Sequence, residues 1–192
     1  IKIIASTGSP LAEESFKYIY ENIKQNVHLA SIAGGTDLVG CLILGNLFSD
    51  VSKGEIQGQS LGIDVDVFTN DGKSTSINAK GELVVKKPFP SMPVKFWGDD
   101  DGQKYHKAYF TRFKNIWHHG DFIERTLNNG FIMRGRSDAT LNPGGVRIGT
   151  SEIYQQVENI DFITEGLVVG QNYNDDVRII LFVTTKSNKE LN

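Results

Sequence analysis

Four short stretches of the chain gather residue types that bind polyphosphates and sugar diols. Gly34-Gly35-Thr36-Asp37 offers two glycines that let backbone approach a phosphate, a hydroxyl donor, and a carboxylate able to hold a divalent cation. The same four residues also make an ordinary turn. His118-His119-Gly120-Asp121 sets paired imidazoles before a carboxylate. Neighbours on a strand point to opposite faces, which disfavours a shared metal ion. Asp121 can instead accept from two vicinal hydroxyls, as a carboxylate does with a ribose, or cap a turn. Gly135-Arg136-Ser137-Asp138 and Gly144-Gly145-Val146-Arg147 place two guanidinium groups around a glycine-rich loop, suited to phosphate and ribose oxygens or to surface salt bridges. Tyr105, Tyr109, Phe110 and Phe113 have mixed spacing, which fits core packing better than a stacking platform.

The elements that must hold these residues change character along the chain. Ile1 to Ala5 reads as a buried strand, followed by a turn in which Ser9 caps and Pro10 opens a helix. Phe16, Ile19, Tyr20, Ile23 and Val27 then predict one buried stripe on a helix of about 16 residues. Leu29 to Ile32 resumes a strand before Gly34. Residues 1–50 are expected to be the end of an α/β sheet, where ligands gather at strand C-termini.

Residues 51–136 are expected to form a compact, barrel-like β subdomain. Ile63 to Val67 alternates at period two, Asn70-Asp71-Gly72 supplies a turn, and Glu82 to Lys86, Trp117 to Glu124 and Phe131 to Arg134 read as strands. Asn128-Asn129-Gly130 joins the last two, and the prolines of Pro88 to Pro93 mark an irregular loop. In residues 137–192, Thr150 is the expected cap of a helix with Ile153, Val157 and Ile160 on one face. Gly166 to Gly170 and Arg178 to Thr184 read as strands around a turn at Asn172 to Asp176. An α+β unit of roughly 50 residues is marginal alone, and the chain opens on Ile1 without an initiator Met, so a piece of a longer protein is expected.

Composition narrows the function classes. With 39% hydrophobic and 22% charged residues, the chain has the balance of a globular domain. A net charge of −3, without a long run of either sign, argues against a broad nucleic-acid surface. The longest apolar runs, such as Ile179 to Val183, fall far short of the roughly 20 residues of a membrane span. One cysteine, Cys41, and no Asn-x-Ser/Thr acceptor disfavour a secreted, disulfide-framed domain and fit the cytoplasm.

Taken in order, Ser6-Thr7-Gly8-Ser9-Pro10-Leu11, Gly34-Gly35-Thr36-Asp37, Trp117-His118-His119-Gly120-Asp121, and Gly135-Arg136-Ser137-Asp138 through Glu152-Ile153-Tyr154 resemble the adenylate-forming superfamily of acyl-CoA synthetases, peptide-synthetase adenylation domains and luciferases. The stretch from Gly135 to Ile153 is the most specific part.

The resemblance implies a fold of three parts: the end of an α/β subdomain, a barrel-like β subdomain and the start of a small α+β C-terminal domain. It implies a ligase that uses ATP, Mg²⁺ and coenzyme A, with acetoacetate as the acid. On this reading Gly8, Ser9 and Pro10 line the adenine, Thr36 touches the α-phosphate, and Asp37 holds Mg²⁺ where most relatives have Glu. Asp121 binds the ribose hydroxyls, and Arg136 the ribose and nearby phosphate. Asp138 is the hinge between large and small domains, Gly145 lies beside the pantetheine channel, and Arg147 makes a phosphate-side contact. At Gly34, acetate-activating relatives carry an aromatic side chain, so glycine implies room for a four-carbon acid. The family's Ser/Thr/Gly-rich phosphate loop and catalytic lysine have no counterpart in these residues, so the chain alone is expected not to catalyse. Another short-chain acyl-CoA synthetase and a non-catalytic nucleotide-binding module are the alternatives.

Overall fold

The opening apolar run forms strand β1 (Ile3–Ser6), which pairs in parallel with β2 (His28–Ser31) from Ile3 opposite His28 to Ser6 opposite Ser31. Parallel neighbours need a crossover. Helix α1 (Glu13–Tyr18), prolonged by a π-helical turn at Ile19–Ile23, supplies it. The computed structural model describes residues 1–143, 146–174 and 176–186, which fall into two compact units, Ile1–Met133 and Arg134–Asn192.

The helix departs from the expected one at both ends. Ser9 and Pro10 do not start it: Gly8, at φ +93°, turns the chain, and Ala12 is still extended at the capping position with no side-chain cap. The first turn begins instead with Glu13 and Glu14, whose charges suit the positive end of the helix dipole. Of the predicted stripe, Phe16 is buried while Ile23 is exposed. Lys24 is extended, so Val27 is buried from the loop before β2 and not from the helix.

Two antiparallel sheets follow. One orders β3 (Ala33–Gly35), β4 (Gly40–Leu44) and β5 (Gly58–Gln59); the other orders β6 (Val65–Phe68), β7 (Lys80–Val85), β8 (Trp117–Arg125) and β9 (Phe131–Arg136). Ile56 and Phe131 exchange both backbone hydrogen bonds at 2.8 Å, so the chain entering β5 continues the first sheet onto β9. The strands thus follow one another from β3 round to β6, and no ladder closes β3 onto β6 among the described residues. Leu42, Ile43, Val65, Leu83, Trp117 and Phe131 belong to one buried cluster drawn from both sheets. The turn residues behave as their chemistry dictates: Gly72 sits at φ +76° after β6 and Asn129 at φ +60° between β8 and β9.

In the second unit, Ser137–Ala139 makes a short 3₁₀ turn, and Leu141 and Ile148 exchange backbone hydrogen bonds at 2.9 Å. Helix α3 (Thr150–Glu158) is capped at Gly149 and not at Thr150, which is already helical. The Gly149 N–H donates to Glu152 Oε1 at 2.9 Å, and a Cβ at Gly149 would overlap the Arg134 carbonyl. Strands β10 (Ile163–Tyr173) and β11 (Asp176–Thr185) form a hairpin longer than expected at both ends. Gly170 continues the strand because its bare Cα accommodates the side chains of Leu141 and Val177.

The second sheet carries a buried carboxylate. Asp66 accepts from Ser74 Oγ at 2.8 Å and from the Val67 N–H at 2.8 Å, and Lys86 Nζ lies 3.1 Å away. Arg125 Nη2 of β8 reaches its other oxygen at 3.4 Å. Burial raises the carboxyl pKa, but the bonds from Ser74, Val67 and Lys86 outweigh it, so the group titrates below its ordinary range. A carboxyl depressed in the folded state contributes stability above its unfolded pKa, and that contribution disappears as pH falls through the folded value. Asp66→Asn should therefore cost about 1 to 3 kcal/mol near pH 7 and flatten the acid limb of a plot of Tm against pH, measured by circular dichroism. An acid limb of unchanged steepness would contradict this role.

Candidate active site

Strand β8 places the His-His-Gly-Asp stretch. Val84 of β7 lies opposite His118 and Glu82 opposite Phe122, so β8 spends His119, Gly120 and Asp121 where β7 has Leu83 alone. Gly120 takes up the extra length at φ +85°, a conformation glycine adopts without strain. The two histidines part as alternation predicts. His118 Nε2 approaches Glu82 at 2.9 Å, and Arg112 lies 3.1 Å from the same fully buried carboxylate. His119 Nε2 lies 3.6 Å from Asp121 Oδ2, with both residues buried. The buried Trp117 indole donates to His119 Nδ1 at 3.3 Å. An accepting Nδ1 puts the ring proton of a neutral imidazole on Nε2, the side of Asp121.

The β3–β4 connection carries the second stretch. Thr36 and Asp37 are exposed in its turn, whereas Leu38 is fully buried and anchors it. Val39 takes φ +51°, a strained conformation for a β-branched residue. A Cβ on Gly34 would overlap the Gly40 carbonyl and the Cys41 Cα across the hairpin. Two backbones in close approach are thus by themselves a reason for glycine at position 34, beside the room for a four-carbon acid that the resemblance implies. A Cβ on Gly35 would meet the Asp37 carboxylate and come within 3.2 Å of His119 Cε1, so this turn lies against β8.

Tyr109 links the two. Its hydroxyl donates to Asp37 Oδ2, and its ring stacks on Trp117 with centroids 3.6 Å apart and planes 12° from parallel. Burial, then the hydrogen bond to Asp37, raise its pKa, so it stays a protonated donor at neutral pH. Tyr109 ends helix α2 (Gln103–Tyr109). The helix is short and needs an outside cap: buried Asp99 accepts from the N–H groups of Lys104 at 3.0 Å and Tyr105 at 2.8 Å. Those bonds outweigh burial and hold the Asp99 carboxyl below its usual range. Tyr105 donates to the Pro93 carbonyl at 2.5 Å, and Tyr105 and Phe110 pack edge-on against Trp117.

The structure thus gathers Asp37 and Asp121 about a Tyr109–Trp117–His119 chain. Gly8, Ser9 and Pro10 lie on the exposed loop after β1. Arg136, Asp138 and Arg147 belong to the second unit, where Arg136 Nε lies 3.6 Å from Asp138 Oδ1 and Arg147 is half-buried. Gly145 lies outside the described residues. Sequence reasoning missed Tyr109, which sits 72 positions from its partner. The period-two series Trp117, His119 and Asp121 was a signal available in the strand pattern.

A single exposed carboxylate such as Asp37 fits a hard cation whose remaining positions are filled by phosphate oxygens and water. Among the described residues no group of three or more His, Cys, Asp or Glu could hold a metal by itself. No described helix is long and apolar enough to cross a membrane.

No protein-family model matches the chain. The chain is 56% identical over 191 residues to acetoacetyl-coenzyme A synthetase of Rhizobium meliloti (strain 1021), covering all of this chain and 29% of that protein. It is 46% identical over 187 residues to acetoacetyl-CoA synthetase of Gallus gallus, covering 96% of this chain and 28% of the relative. The chain therefore spans less than a third of the length of these relatives. Among solved structures, acetoacetyl-CoA synthetase from Streptomyces lividans superposes over the whole chain with a TM-score of 0.87 and 37% identity, covering 29% of that chain. A benzoate CoA ligase from Burkholderia xenovorans LB400 shares the fold at a TM-score of 0.79 and 21% identity. By sequence and by fold, the chain is similar over its whole length to part of the acetoacetyl-CoA synthetases.

Proposed function

We propose that this chain serves an ATP-dependent ligase that converts acetoacetate to acetoacetyl-AMP and then to acetoacetyl-CoA, releasing pyrophosphate and AMP. The observation that carries the reading is 56% identity over 191 residues to a relative of that name. The burial of Asp121 beside His119, close to a turn bearing Thr36 and Asp37, supports it.

A carboxylate is a poor electrophile, so one of its oxygens first attacks the α-phosphorus of ATP, and the bond to pyrophosphate breaks. Thr36 donates to an α-phosphate oxygen. Asp37 would hold Mg²⁺, which would supply positive charge as pyrophosphate leaves. Asp121 accepts from the ribose hydroxyls while His119 keeps its carboxylate in place. Gly8, Ser9 and Pro10 line the adenine, Arg136 contacts the ribose and phosphate, and Arg147 a phosphate oxygen. In the second step the CoA sulfur attacks the acyl carbon and AMP departs, with Gly145 beside the pantetheine. Large-domain segments at 1–50 and 51–136 and a small domain from 137 turn about Asp138 between the steps. The single cysteine suits a cytoplasmic setting.

Pyrophosphate exchange by the full-length protein across acetoacetate, acetate and propionate tests the reading. Exchange should be fastest with acetoacetate; preference for another acid would reassign the substrate, and no exchange with any acid would favour a non-catalytic nucleotide-binding module. Removing the ribose acceptor in Asp121→Ala should raise KM for ATP by roughly tenfold, from a loss of about 1 to 3 kcal/mol of hydrogen bonding; unchanged ATP dependence would refute that assignment. Because its added methyl meets main chain, Gly34→Ala should depress kcat/KM for acetoacetate and acetate alike, whereas a loss confined to acetoacetate would support room for the acyl chain at Gly34.

A further inference from the structure

We infer that Tyr109 is a positioning residue for the Asp37 carboxylate, fixing its orientation toward a divalent cation without neutralising its charge. This deepens the proposed function and rests on its assignment of Asp37 as the cation ligand.

Asp37 stands exposed in a turn whose buried anchor is the neighbouring Leu38, so packing fixes the backbone beside it and not the carboxylate itself. Among the described residues, the Tyr109 hydroxyl is the hydrogen-bond partner of that carboxylate. The phenol is poorly free to move, because its ring lies flat on Trp117, itself 2% exposed and surrounded by Phe89, Tyr105 and Phe110. Chemistry explains the choice of donor. A lysine or arginine there would pair with the carboxylate and compete with a cation. A neutral phenol occupies one lone pair of Oδ2 and leaves the charge and the remaining acceptor sites in place. Partners that orient a ligand carboxylate typically govern metal affinity by 10- to 100-fold.

The test uses the full-length protein with ATP bound and Mn²⁺ as the probe, following Mn²⁺ dissociation by electron paramagnetic resonance. Tyr109→Phe keeps the ring and its stack while deleting one hydroxyl. It should weaken Mn²⁺ binding about tenfold with little change in Tm. Tyr105→Phe, which deletes the hydroxyl bonded to Pro93 in the same aromatic cluster, is the control and should leave Mn²⁺ binding unchanged. Equal weakening in both variants would mean general loosening and would overturn the inference. So would unchanged Mn²⁺ binding in Tyr109→Phe alongside clear weakening in Asp37→Asn. If Asp37→Asn itself binds Mn²⁺ normally, the assignment of Asp37 fails and the role of Tyr109 fails with it.

Discussion

A buried indole must bury its ring and still satisfy its N–H, and in the first unit that double demand falls on Trp117. The ring side of the demand is met by Phe89, Tyr105 and Phe110 edge-on and by Tyr109 face-on. The polar side is met by His119 Nδ1. The core and the candidate site therefore share a residue: whatever moves the indole moves the phenol that reaches Asp37 and the imidazole that faces Asp121. A site built this way inherits the stiffness of the core while the Asp37 carboxylate stays exposed.

Strand β8 is where this arrangement is organised, because its two faces carry different kinds of charge. On one, Glu82 is fully buried and meets both His118 and Arg112. A buried carboxylate with two basic partners is compensated, and removing one partner would be costly. On the other, Asp121 Oδ2 lies 3.6 Å from the His119 imidazole. The first cluster ties the segment after α2 to the sheet. The second sets a buried carboxylate beside the imidazole that Trp117 also holds. Adjacent histidines thus serve opposite purposes because the pleat sends them to opposite faces.

Much of this was legible in the residues. The alternation of Ile63 to Val67 and the Asn-Gly turns specified strands and reversals through local backbone preference, and Asp37 and Asp121 stood out as carboxylates beside glycines. The start of α1 was not legible, because Ser9 and Pro10 have good capping chemistry but Gly8 diverts the chain before they can use it. The close approach at Gly34 was hidden as well, since it depends on the carbonyl of Gly40 across a hairpin whose bulge cannot be read from composition. Tyr109 was hidden most completely: aromatic residues at irregular spacing signal a core, and nothing local says which hydroxyl will emerge from it.

The distance along the chain between Asp37 and Tyr109 has a consequence for biogenesis. With 72 positions between the partners and synthesis at about 5–20 residues per second, the carboxylate leaves the peptidyl-transferase centre roughly 4 to 14 s ahead of the phenol that orients it. The β3–β4 hairpin must therefore wait on the ribosome with its acidic tip unheld, and its strained Val39 turn is retained in that interval by whatever early burial Leu38 finds. Codon usage and chaperone access across the intervening segment thus bear on the yield of a correctly assembled site.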